Sequence, residues 1–579
     1  MRIVLRQLGR FKRDALLCIG LTSLEVLMEI LLPFITAIII DEGLETGNLS
    51  VVYRYGAVMV AIAFCGLIFA ACAGRFAASA SSGLAANLRQ AIYANIQTFS
   101  FSNIDKFSVP GLVTRMTTDI TNVQNAFMMV IRVAVRSPLT LIFSYIMCLI
   151  ISPRLSLTFL IAVVFLVVVL GSIMVVTLKI FNQVFRKYDD LNASVQENIS
   201  AIRVVKAFVR EDYENTKFAK ASANLYRMFV RAEGLLAFNN PAMMTAVYFC
   251  IIMISWLGSH YIVSGSMTSG DLTSLFSYVM GLLMSLMMLS MVIVMISMSM
   301  ASIRRISEVL RETPDLHDPA EPVTEVADGS IDFDHVTFSY QHGSGKSVLT
   351  DIDLHIRSGE TIGIIGGTGA GKSSLVNLIC RLYDVDEGAV KVGGVDVRQY
   401  GMEALRNQVS VVLQKNTLFS GTILDNLRWG NPDATDEECV EACRAACADE
   451  FIDRLPDGYH THIERGGANV SGGQKQRLCI ARALLKKPKV LILDDSTSAV
   501  DTATDARIRT AFAEKIPGTT KIIIAQRISS VEHADRILVL EGGRINGFDT
   551  HENLLQSNAI YREIYDSQIQ GGGDFDQPA

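Results

Sequence analysis

The first half of the chain is dominated by six long apolar segments, and this feature constrains the fold more than any other. Each segment spans a lipid bilayer either by its own length or with a helical extension. A mean hydropathy of +0.33 and a 50% share of hydrophobic residues are high for a soluble chain of 579 residues. We therefore predict an all-α membrane domain of six helices followed by a soluble domain. The segments are 15–40, 56–74, 137–152, 155–178, 234–259 and 272–303.

Basic residues indicate which side of the membrane the chain ends occupy. Six spans put both ends on one side, and the outer connections at 41–51 and 263–271 contain no Lys or Arg. We therefore expect both termini and the soluble half in the cytoplasm, with a basic amphipathic N-terminal helix on the inner leaflet. Residues 272–303 carry no charge over about 48 Å of helix, against a hydrocarbon core of about 30 Å, so helices should extend beyond the membrane. The basic residues before the first span are Arg2, Arg6, Arg10, Lys12 and Arg13.

The inner connections are long and turn at two polar-aromatic stretches, 103–110 and 207–213. These stretches are either docking elements for a soluble surface or solvated hairpin tips. After the sixth span, a proline-rich and acidic stretch without apolar periodicity is typical of a linker. We therefore place the membrane domain at 1–303, the linker at 304–329 and the soluble domain at 330–579.

Two features of the spans are candidates for contact with a substrate. Glu25 and Glu29 lie one helical turn apart in the first span, where a carboxylate either faces a cavity or partner charge or lies near the membrane interface. Methionines recur at spacings of three and four along 280–298 and form one face of the sixth span. Such a face either packs against neighbouring helices or lines a pocket for varied apolar ligands. The candidate substrate residues are Glu25, Glu29, Met284, Met287 and Met291.

The composition argues against several other classes of protein. A net charge of -6 without a long basic tract gives no indication of a nucleic-acid partner. The ten cysteines lack paired spacing, so we expect a reducing compartment for the soluble half rather than a disulfide framework. Cys439, Cys443 and Cys447 form a row whose end members lie about 12 Å apart along a helix, which favours buried small residues over metal ligands.

A glycine-rich loop follows a short apolar strand in the soluble half. The strand covers 361–365, the loop at 366–373 matches GxxxxGK[ST], and a helical run follows. The glycines let backbone N–H groups surround phosphates at a helix N-terminus, Lys372 offsets phosphate charge, and the Ser373 hydroxyl can bind Mg²⁺. The loop therefore predicts a nucleotide site. Its candidate binding residues are Gly366, Thr368, Gly369, Gly371, Lys372, Ser373 and Ser374.

A second apolar strand, 490–494, ends in two adjacent carboxylates, Asp494 and Asp495. Ligand sites of parallel sheets gather at the carboxyl ends of strands, and a phosphate-loop enzyme needs a second acid to hold its metal. We expect Asp494 to be that acid, so the predicted ligand is ATP with Mg²⁺. Upstream, Ser471 and two glycines lead into another helix with an anion-receptive N-terminus. That N-terminus has no obvious use within its own nucleotide site.

These elements together resemble the ATP-binding cassette (ABC) family, in the layout of an exporter half-transporter with six spans and one cassette. The resemblance covers nearly the whole chain. It implies an α/β phosphate-loop domain with a helical subdomain, in which Gln414 forms the Q-loop and contacts the metal. It further implies that Tyr340 stacks on adenine and that Asp501 belongs to the D-loop, residues 498–501.

The same resemblance implies a head-to-tail pair of cassettes. Each ATP is then bound between one phosphate loop and the other subunit's signature segment, here Ser471, Gly473 and Gln474. This gives the second helix N-terminus a use. The two hairpin tips correspond to coupling helices, with the second at 202–208 or nearby, and these would transmit cassette closure to the spans.

Two residues depart from the family pattern. The family usually has a glutamate after the metal-binding acid, as general base for the attacking water, but this chain has Asp495. One methylene fewer retracts the carboxylate by about 1.5 Å, and a base must come within about 3.2 Å of the proton it takes. Gln526 stands where the family has a histidine that contacts the γ-phosphate, and glutamine cannot carry a proton charge. Either the changes are neutral drift in an active homodimer, or this site hydrolyses ATP poorly.

The second interpretation resembles the degenerate-site subunit of bacterial heterodimeric multidrug ABC exporters. It implies a chain that binds ATP and Mg²⁺, hydrolyses ATP weakly at its own site, and completes the site of a second, competent half-transporter. The predicted cargo is hydrophobic or amphipathic compounds, moved out across the bacterial cell membrane. Two alternatives remain. One is a homodimeric exporter of lipids or peptides, and the other is a non-transporting regulatory subunit that binds ATP.

Overall fold

A computed structural model describes residues 2–340, 347–495 and 500–571 of the chain. Two compact units are present: Met1–Thr98 with Phe107–Glu312, and Phe99–Lys106 with Thr313–Ala579. In its described residues the first unit is helical, whereas the second is an α/β unit. Residues 496–499, which include the first two residues of the predicted D-loop at 498–501, lie outside the described residues.

The helices that precede the cassette are long, with short helices at the turns between them. They are α1 (Arg2–Arg6), α2 (Lys12–Ile38), α3 (Leu49–Gln97), α4 (Phe101–Phe107), α5 (Val109–Thr114), α6 (Ile120–Ile151), α7 (Pro153–Ser200), α8 (Ile202–Ala207), α9 (Glu211–Ala237), α10 (Asn239–Val263) and α11 (Ser269–Arg311). Two π-helical segments, Ile39–Leu44 and Arg115–Asp119, follow α2 and precede α6.

Six helical stretches of the described chain are long and apolar enough to cross a membrane, which confirms the predicted number. The helices also extend beyond the hydrocarbon, since α3 and α7 contain 49 and 48 residues, or about 70 Å each. Helix α6 begins at Ile120, well before the predicted span at 137–152. The apolar pattern missed this part of the helix because Arg132 and Arg136 interrupt it.

Local sequence signals mark where two short connections between long helices end. Ser152 caps α7, and Pro153 occupies its first position, where a missing N–H costs nothing. Thr268 and Asp271 form a capping box at the start of α11, with hydrogen bonds of 3.1 and 3.3 Å between side chains and backbone N–H groups. These caps confine the connections to a few residues and set adjacent helices antiparallel.

Short helices lie at both of the turns predicted to be hairpin tips. Helix α4 overlaps the predicted tip at 103–110 but begins two residues earlier, at Phe101, and residues 99–106 group with the second unit. The second short helix, α8, lies at Ile202–Ala207, so the stretch 207–213 contains the turn after it and the start of α9. At this turn Val209 adopts a positive φ of 52° and is 80% exposed.

The cassette unit combines twelve strands with nine helices in its described residues after 312. The strands are β1 (Ile331–Phe338), β2 (Leu349–Ile356), β3 (Thr361–Gly366), β4 (Glu387–Val392), β5 (Val395–Asp396), β6 (Val409–Val412), β7 (Gly421–Thr422), β8 (His462–Ile463), β9 (Val490–Asp494), β10 (Thr520–Ile524), β11 (Arg536–Glu541) and β12 (Arg544–Asp549). The helices are α12 (Lys372–Ile379), α13 (Met402–Gln408), α14 (Ile423–Leu427), α15 (Asp436–Ala445), α16 (Asp449–Ile452), α17 (Gly472–Leu484), α18 (Thr502–Lys515), α19 (His551–Ser557) and α20 (Ala559–Gly571).

A six-stranded sheet forms the centre of this unit, in the order β12-β11-β3-β10-β9-β6, with β12 antiparallel to an otherwise parallel set. All five residues of β9 are buried. Leu491 and Leu493 pack in the cluster on one side, whereas Val490 and Ile492 pack in the cluster on the other. The sheet is therefore covered on both faces, as the continuous apolar run of β9 predicts.

A second, antiparallel sheet has the order β2-β1-β4-β5, and helices α14, α15 and α16 form a helical insertion between β6 and β9. The row Cys439, Cys443 and Cys447 lies on or just after α15 and is buried in the core of this region. The thiols therefore act as small apolar side chains, in agreement with the sequence interpretation.

An ion pair with a buried carboxylate joins the π-helical segment before α6 to α11. Asp119 closes the π-helical segment and is 1% exposed. Arg305 donates to its two carboxylate oxygens at 2.8 and 2.5 Å, and the Ser302 hydroxyl donates at 2.9 Å. A carboxylate buried among three donors is stabilised only as long as all partners remain.

We predict that Asp119→Ala lowers the stability of the chain by about 1–3 kcal/mol, because Arg305 and Ser302 lose their acceptor while water compensates the half-exposed arginine in part. The measurement is the apparent melting temperature of the purified full chain in detergent. Glu211→Ala is the control, since it removes a carboxylate from a partly exposed pair with Lys206. Equal shifts in the two variants would contradict the proposed role of Asp119.

Candidate functional site

The order of the central sheet brings the predicted site segments to one edge. Strands β3, β10, β9 and β6 are parallel neighbours, so their carboxyl ends meet. Ile524 at the end of β10 pairs with Ile364 of β3 and with Asp494 of β9. The phosphate loop, the two acids and Gln526 therefore leave the sheet side by side.

The phosphate loop runs from the end of β3 to the start of α12. Gly369 and Gly371 have φ values of 82° and 97°, and a Cβ at Gly371 would lie 2.7 Å from the Leu349 side chain. Only glycine fits such a conformation without strain. The Lys372 ammonium donates to the carbonyls of Gly366 and Gly367 at 2.8 and 2.9 Å. The Lys372 ammonium is thus held against the carbonyl groups of the loop that the sequence predicts to bind phosphate.

Asp494 is 6% exposed and lies beside the first turn of α12. Burial raises the pKa of Asp494 above its ordinary value, opposed by a hydrogen bond from the Ser373 hydroxyl and supported by the charge of Asp495. Burial also lowers the pKa of Lys372, while the charges of Asp494 and Asp495 counteract that effect. The structure thus brings together the residues predicted to hold phosphate and metal.

The two departures from the family pattern are in direct contact. The Gln526 amide donates to Asp495 Oδ2 at 3.1 Å. Asp495 also remains attached to the sheet, because its N–H donates to the Ile524 carbonyl at 3.0 Å. Gln568 of α20 donates to the Gln526 carbonyl at 2.7 Å and accepts from the Ile528 N–H at 2.8 Å. These hydrogen bonds from the C-terminal helix correspond to no motif in the sequence.

Tyr340 follows β1 and is 43% exposed. Its hydroxyl lies 2.9 Å from the Ser374 hydroxyl on α12, so the aromatic ring is tethered to the helix of the phosphate loop. The ring packs edge-on against Phe338 and Tyr383, with centroids 5.0 Å apart in both pairs. Tyr340 thus presents an exposed ring held by its neighbours, as a platform for a nucleobase requires.

Tyr383 links this platform to the short helix α4. Its hydroxyl donates to the Asp105 carboxylate at 2.8 Å, and its ring centroid lies 6.2 Å from that of Phe101. The start of the same segment is held by Asp315, which accepts from the Ser100 and Ser102 hydroxyls, the latter at 2.6 Å. Sequence reasoning missed Tyr383, because an isolated tyrosine after a helix gives no signal of its partners.

Ser471 and Gln474 form a capping box at the start of α17. The Gln474 N–H donates to the Ser471 hydroxyl at 3.3 Å, and the Ser471 N–H donates to the Gln474 side chain at 2.9 Å. Ser471 is exposed and Gly473 is half-buried. Each side chain accepts from the backbone N–H of the other residue, so the N–H groups of Gly472 and Gly473 are the ones directed at the exposed end of the helix.

The remaining predicted site residues lie at the ends of elements. Gln414 follows β6 and is exposed. Asp501 caps α18, since its carboxylate accepts from the Thr504 N–H at 2.9 Å. This hydrogen bond lowers the pKa of Asp501 below its ordinary value. Asp501 therefore has a structural role in the fold, beside the contact that the family resemblance implies.

Comparison with family models decides the identity of this arrangement. Residues 15–308 match the ABC transporter transmembrane region, and residues 349–498 match the ABC transporter domain. The chain belongs to the ABC transporter family. With both regions in one chain, it is a half-transporter of the exporter type.

Similar proteins match most of the length of the transporter. This chain is 35% identical over 545 residues to the "uncharacterized ABC transporter ATP-binding protein YfiB" of Bacillus subtilis, and the match covers 94% of each chain. It is 34% identical over 464 residues to the "ATP-dependent lipid A-core flippase" of Desulfotalea psychrophila, covering 79% of this chain and 80% of the flippase. A bacterial Atm1-family ABC exporter with ATP bound superimposes with a TM-score of 0.82 at 26% identity, covering 97% and 99% of the two chains.

The cassette of the transporter fits ATP with Mg²⁺. A helix N-terminus with glycine N–H groups and Lys372 suits phosphate, and the exposed ring of Tyr340 suits the base. The Ser373 hydroxyl and the Asp494 carboxylate, in contact with each other, form the oxygen donor set that Mg²⁺ prefers. Bound there, the ion would offset the charge that develops on the phosphates.

Two of the candidate substrate residues, Glu25 and Glu29, contact a cation that the sequence analysis missed. Arg136 of α6 donates to Glu25 at 2.5 Å and to Glu29 at 2.7 Å, so both glutamates of α2 have a partner charge. Glu29 and Met284 line a cavity of about 440 Å³. Met287 and Met291 are 37% and 64% exposed and lie outside its lining. The apolar window had excluded Arg136 from the third span.

Substitutions of Asp494 and Asp501 should change the stability of the transporter in opposite directions. The pKa of Asp494 is raised, so its ionisation opposes folding once the pH exceeds the unfolded pKa, and Asp494→Asn should raise the melting temperature of the nucleotide-free transporter at pH 7. The pKa of Asp501 is lowered, so its stabilisation is present at pH 7 and is lost as the pH falls. Asp501→Ala should therefore lower the melting temperature at pH 7, by an effect of about 1 kcal/mol from the lost cap.

Thermal unfolding between pH 3 and pH 7 checks both signs. The Asp494 effect should shrink as the pH falls towards the unfolded pKa of about 3.9, and the Asp501 effect should shrink only below about pH 4, as the pH falls through the lowered folded pKa. An Asp494→Asn variant less stable than wild type at pH 7 would contradict the desolvation argument.

Tyr383 offers a separate test of the link between α4 and the exposed ring of Tyr340. We predict that Tyr383→Phe, which loses only the bond to Asp105, leaves ATP affinity unchanged but lowers substrate-stimulated ATPase activity. Tyr383→Ala should also weaken ATP binding, by about fivefold, because Tyr340 loses an aromatic neighbour. Tyr213→Phe, at an exposed site of α9, is the control. Equal ATP affinities in the Phe and Ala variants would exclude support of Tyr340 by Tyr383.

Proposed function

We propose that this chain is one half of a heterodimeric, ATP-driven exporter that moves hydrophobic or amphipathic compounds out across the bacterial cell membrane. In this proposal its own ATP site is degenerate, and its signature segment completes the active site of a competent partner. The contact between Gln526 and Asp495 is the observation that carries the proposal.

The contact matters because of what a general base must do. A base accepts a proton from the attacking water through a lone pair within about 3.2 Å. Asp495 is one methylene shorter than the usual glutamate, and Gln526 engages one of its oxygens. The amide can hold a phosphate oxygen or the carboxylate, but it cannot supply the charge of a protonated histidine. Both departures therefore weaken the same step.

Binding is left intact by these changes. The phosphate loop keeps its glycine conformations, Lys372 stays at the loop carbonyls, and Ser373 contacts Asp494. Tyr340 remains exposed for the base. We infer that the site holds ATP firmly and turns it over slowly, so that it supports cassette closure over several cycles of the partner's site.

The contribution to hydrolysis then comes from the start of α17. The first-turn N–H groups, flanked by the capping box of Ser471 and Gln474, would bind the phosphates held by the partner subunit. Closure of the paired cassettes would move α4 and α8 as coupling helices. Positive charge before the first span supports a cytoplasmic position for both termini and for the cassette.

A homodimeric lipid exporter is the second candidate, and the similarity to a lipid A-core flippase favours it. The oligomer purified from native membranes distinguishes the two. A second half-transporter with glutamate at the position of Asp495 supports our proposal. A complex of this chain alone with robust turnover, lost in Asp495→Asn, would establish the homodimer.

We predict that Asp495→Glu combined with Gln526→His restores hydrolysis at this site. The measurement is the ATPase activity of the purified pair after removal of the partner's catalytic glutamate, so that only this site contributes. Activity should rise by about 10²-fold, the lower end of the range for a positioned general base. Asp495→Asn on the same background should change little, and Lys372→Ala should abolish the restored activity. High activity before the restoring substitutions would refute the degenerate site.

A further inference from the structure

Four charged residues lie on the facing sides of α2 and α6 within the spans. Glu25 is 8% exposed and its carboxylate is bonded to Arg136. The Glu29 side chain is 51% exposed and shares the same guanidinium. Arg132 stands one turn before Arg136 on α6 and is exposed. Charges in a membrane domain face protein partners or a watery cavity, because lipid does not solvate them.

The cavity at these residues has a volume of about 440 Å³, within the range of small-ligand sites. Its polar lining includes Glu29, Arg132 and Arg136. Its apolar lining includes the methionines of two helices, which adapt to hydrocarbon of varied shape. These methionines are Met128 and Met129 of α6 and Met284 and Met288 of α11.

The two glutamates and two arginines at this cavity are equal in number, but they do not form two separate ion pairs. Arg136 is shared between two carboxylates, which leaves one negative charge in excess at that pair, and Glu29 is the accessible member. Arg132 has no carboxylate partner among the residues that the structure describes. The cavity therefore offers one accessible negative group, Glu29 beside Arg136, and one accessible positive group, Arg132, which lies about one helical turn before Arg136 on α6.

We infer that this cavity binds a zwitterionic amphipath. Its anionic group would pair with Arg132, its cationic group with Glu29, and its hydrocarbon would lie along the methionines. A purely anionic ligand would meet the excess carboxylate, and a purely cationic ligand would meet Arg132. Only a ligand with both charges pairs both groups at once. The inference rests on the proposed export function only in regarding this ligand as cargo.

Binding of three single-chain probes tests the inference. Dodecylphosphocholine is zwitterionic, dodecyl phosphate is anionic and dodecyltrimethylammonium is cationic, and all three share one hydrocarbon chain. Each radiolabelled probe is titrated, without nucleotide, onto the full-length transporter in the oligomer that is isolated from native membranes, in neutral maltoside micelles, with empty micelles subtracted. We expect the zwitterion to bind about tenfold more tightly than either singly charged probe, the effect of one additional charge pair.

Variants identify the groups responsible. Arg132→Gln should weaken binding of the zwitterionic and the anionic probe about tenfold and leave binding of the cationic probe unchanged. Glu29→Gln should weaken binding of the zwitterionic and the cationic probe and leave binding of the anionic probe unchanged. In that variant Glu25 still pairs with Arg136. Arg132→Lys should retain the preference, which excludes a folding defect as the cause. Arg54→Gln and Glu42→Gln, exposed charges away from the cavity, are the matched controls.

Equal affinities for the three probes, or an unchanged preference in both Arg132→Gln and Glu29→Gln, would overturn the inference. The assay contains no ATP, so its result does not depend on the asymmetry of the ATP sites. A preserved zwitterion preference without ATP-driven uptake into vesicles would refute the proposed export function alone. Uptake of other compounds without the preference would refute this inference alone.

Discussion

The parallel pairing of β10 with β3 on one side and β9 on the other is the constraint on which the nucleotide site depends. It places the ends of three strands at one level, so that Lys372, Asp494 and Gln526 come together without any long-range loop. Burial on both faces fixes the register. A slip of one residue would move every side chain of β9 to the opposite cluster and turn Asp494 away from α12.

The sequence predicted those parts of the fold whose cause is local. The spans, the phosphate loop and the acids at the end of β9 each depend on contiguous residues, and their elements lie where the patterns indicate. Contacts between distant residues left no such pattern. Arg136 and Glu25 are 111 residues apart, and Tyr383 and Asp105 are 278 apart. A charge also lowers the hydropathy of its window, so the arginines most important for the cavity were excluded from the predicted span.

The structure changes how Asp495 and Gln526, the two departures from the family pattern, are interpreted. In the sequence they are two separate losses, 31 residues apart. In the fold Asp495 and Gln526 form one hydrogen-bonded pair, and each side chain sets the environment of the other. A single substitution at either position therefore alters two groups, and the pair is the unit that should be compared between half-transporters.

The hydrogen bonds of Gln568 make the C-terminal helix part of the catalytic neighbourhood, although the sheet is complete at Asp549. An isolated cassette cut between β12 and α19 would keep every strand and every nucleotide-binding motif. It would nevertheless release the segment after β10, which carries Gln526. Gln526 would be held less rigidly in such a fragment than in the intact chain. Hydrolysis rates measured on a soluble cassette therefore depend on whether the fragment includes α20.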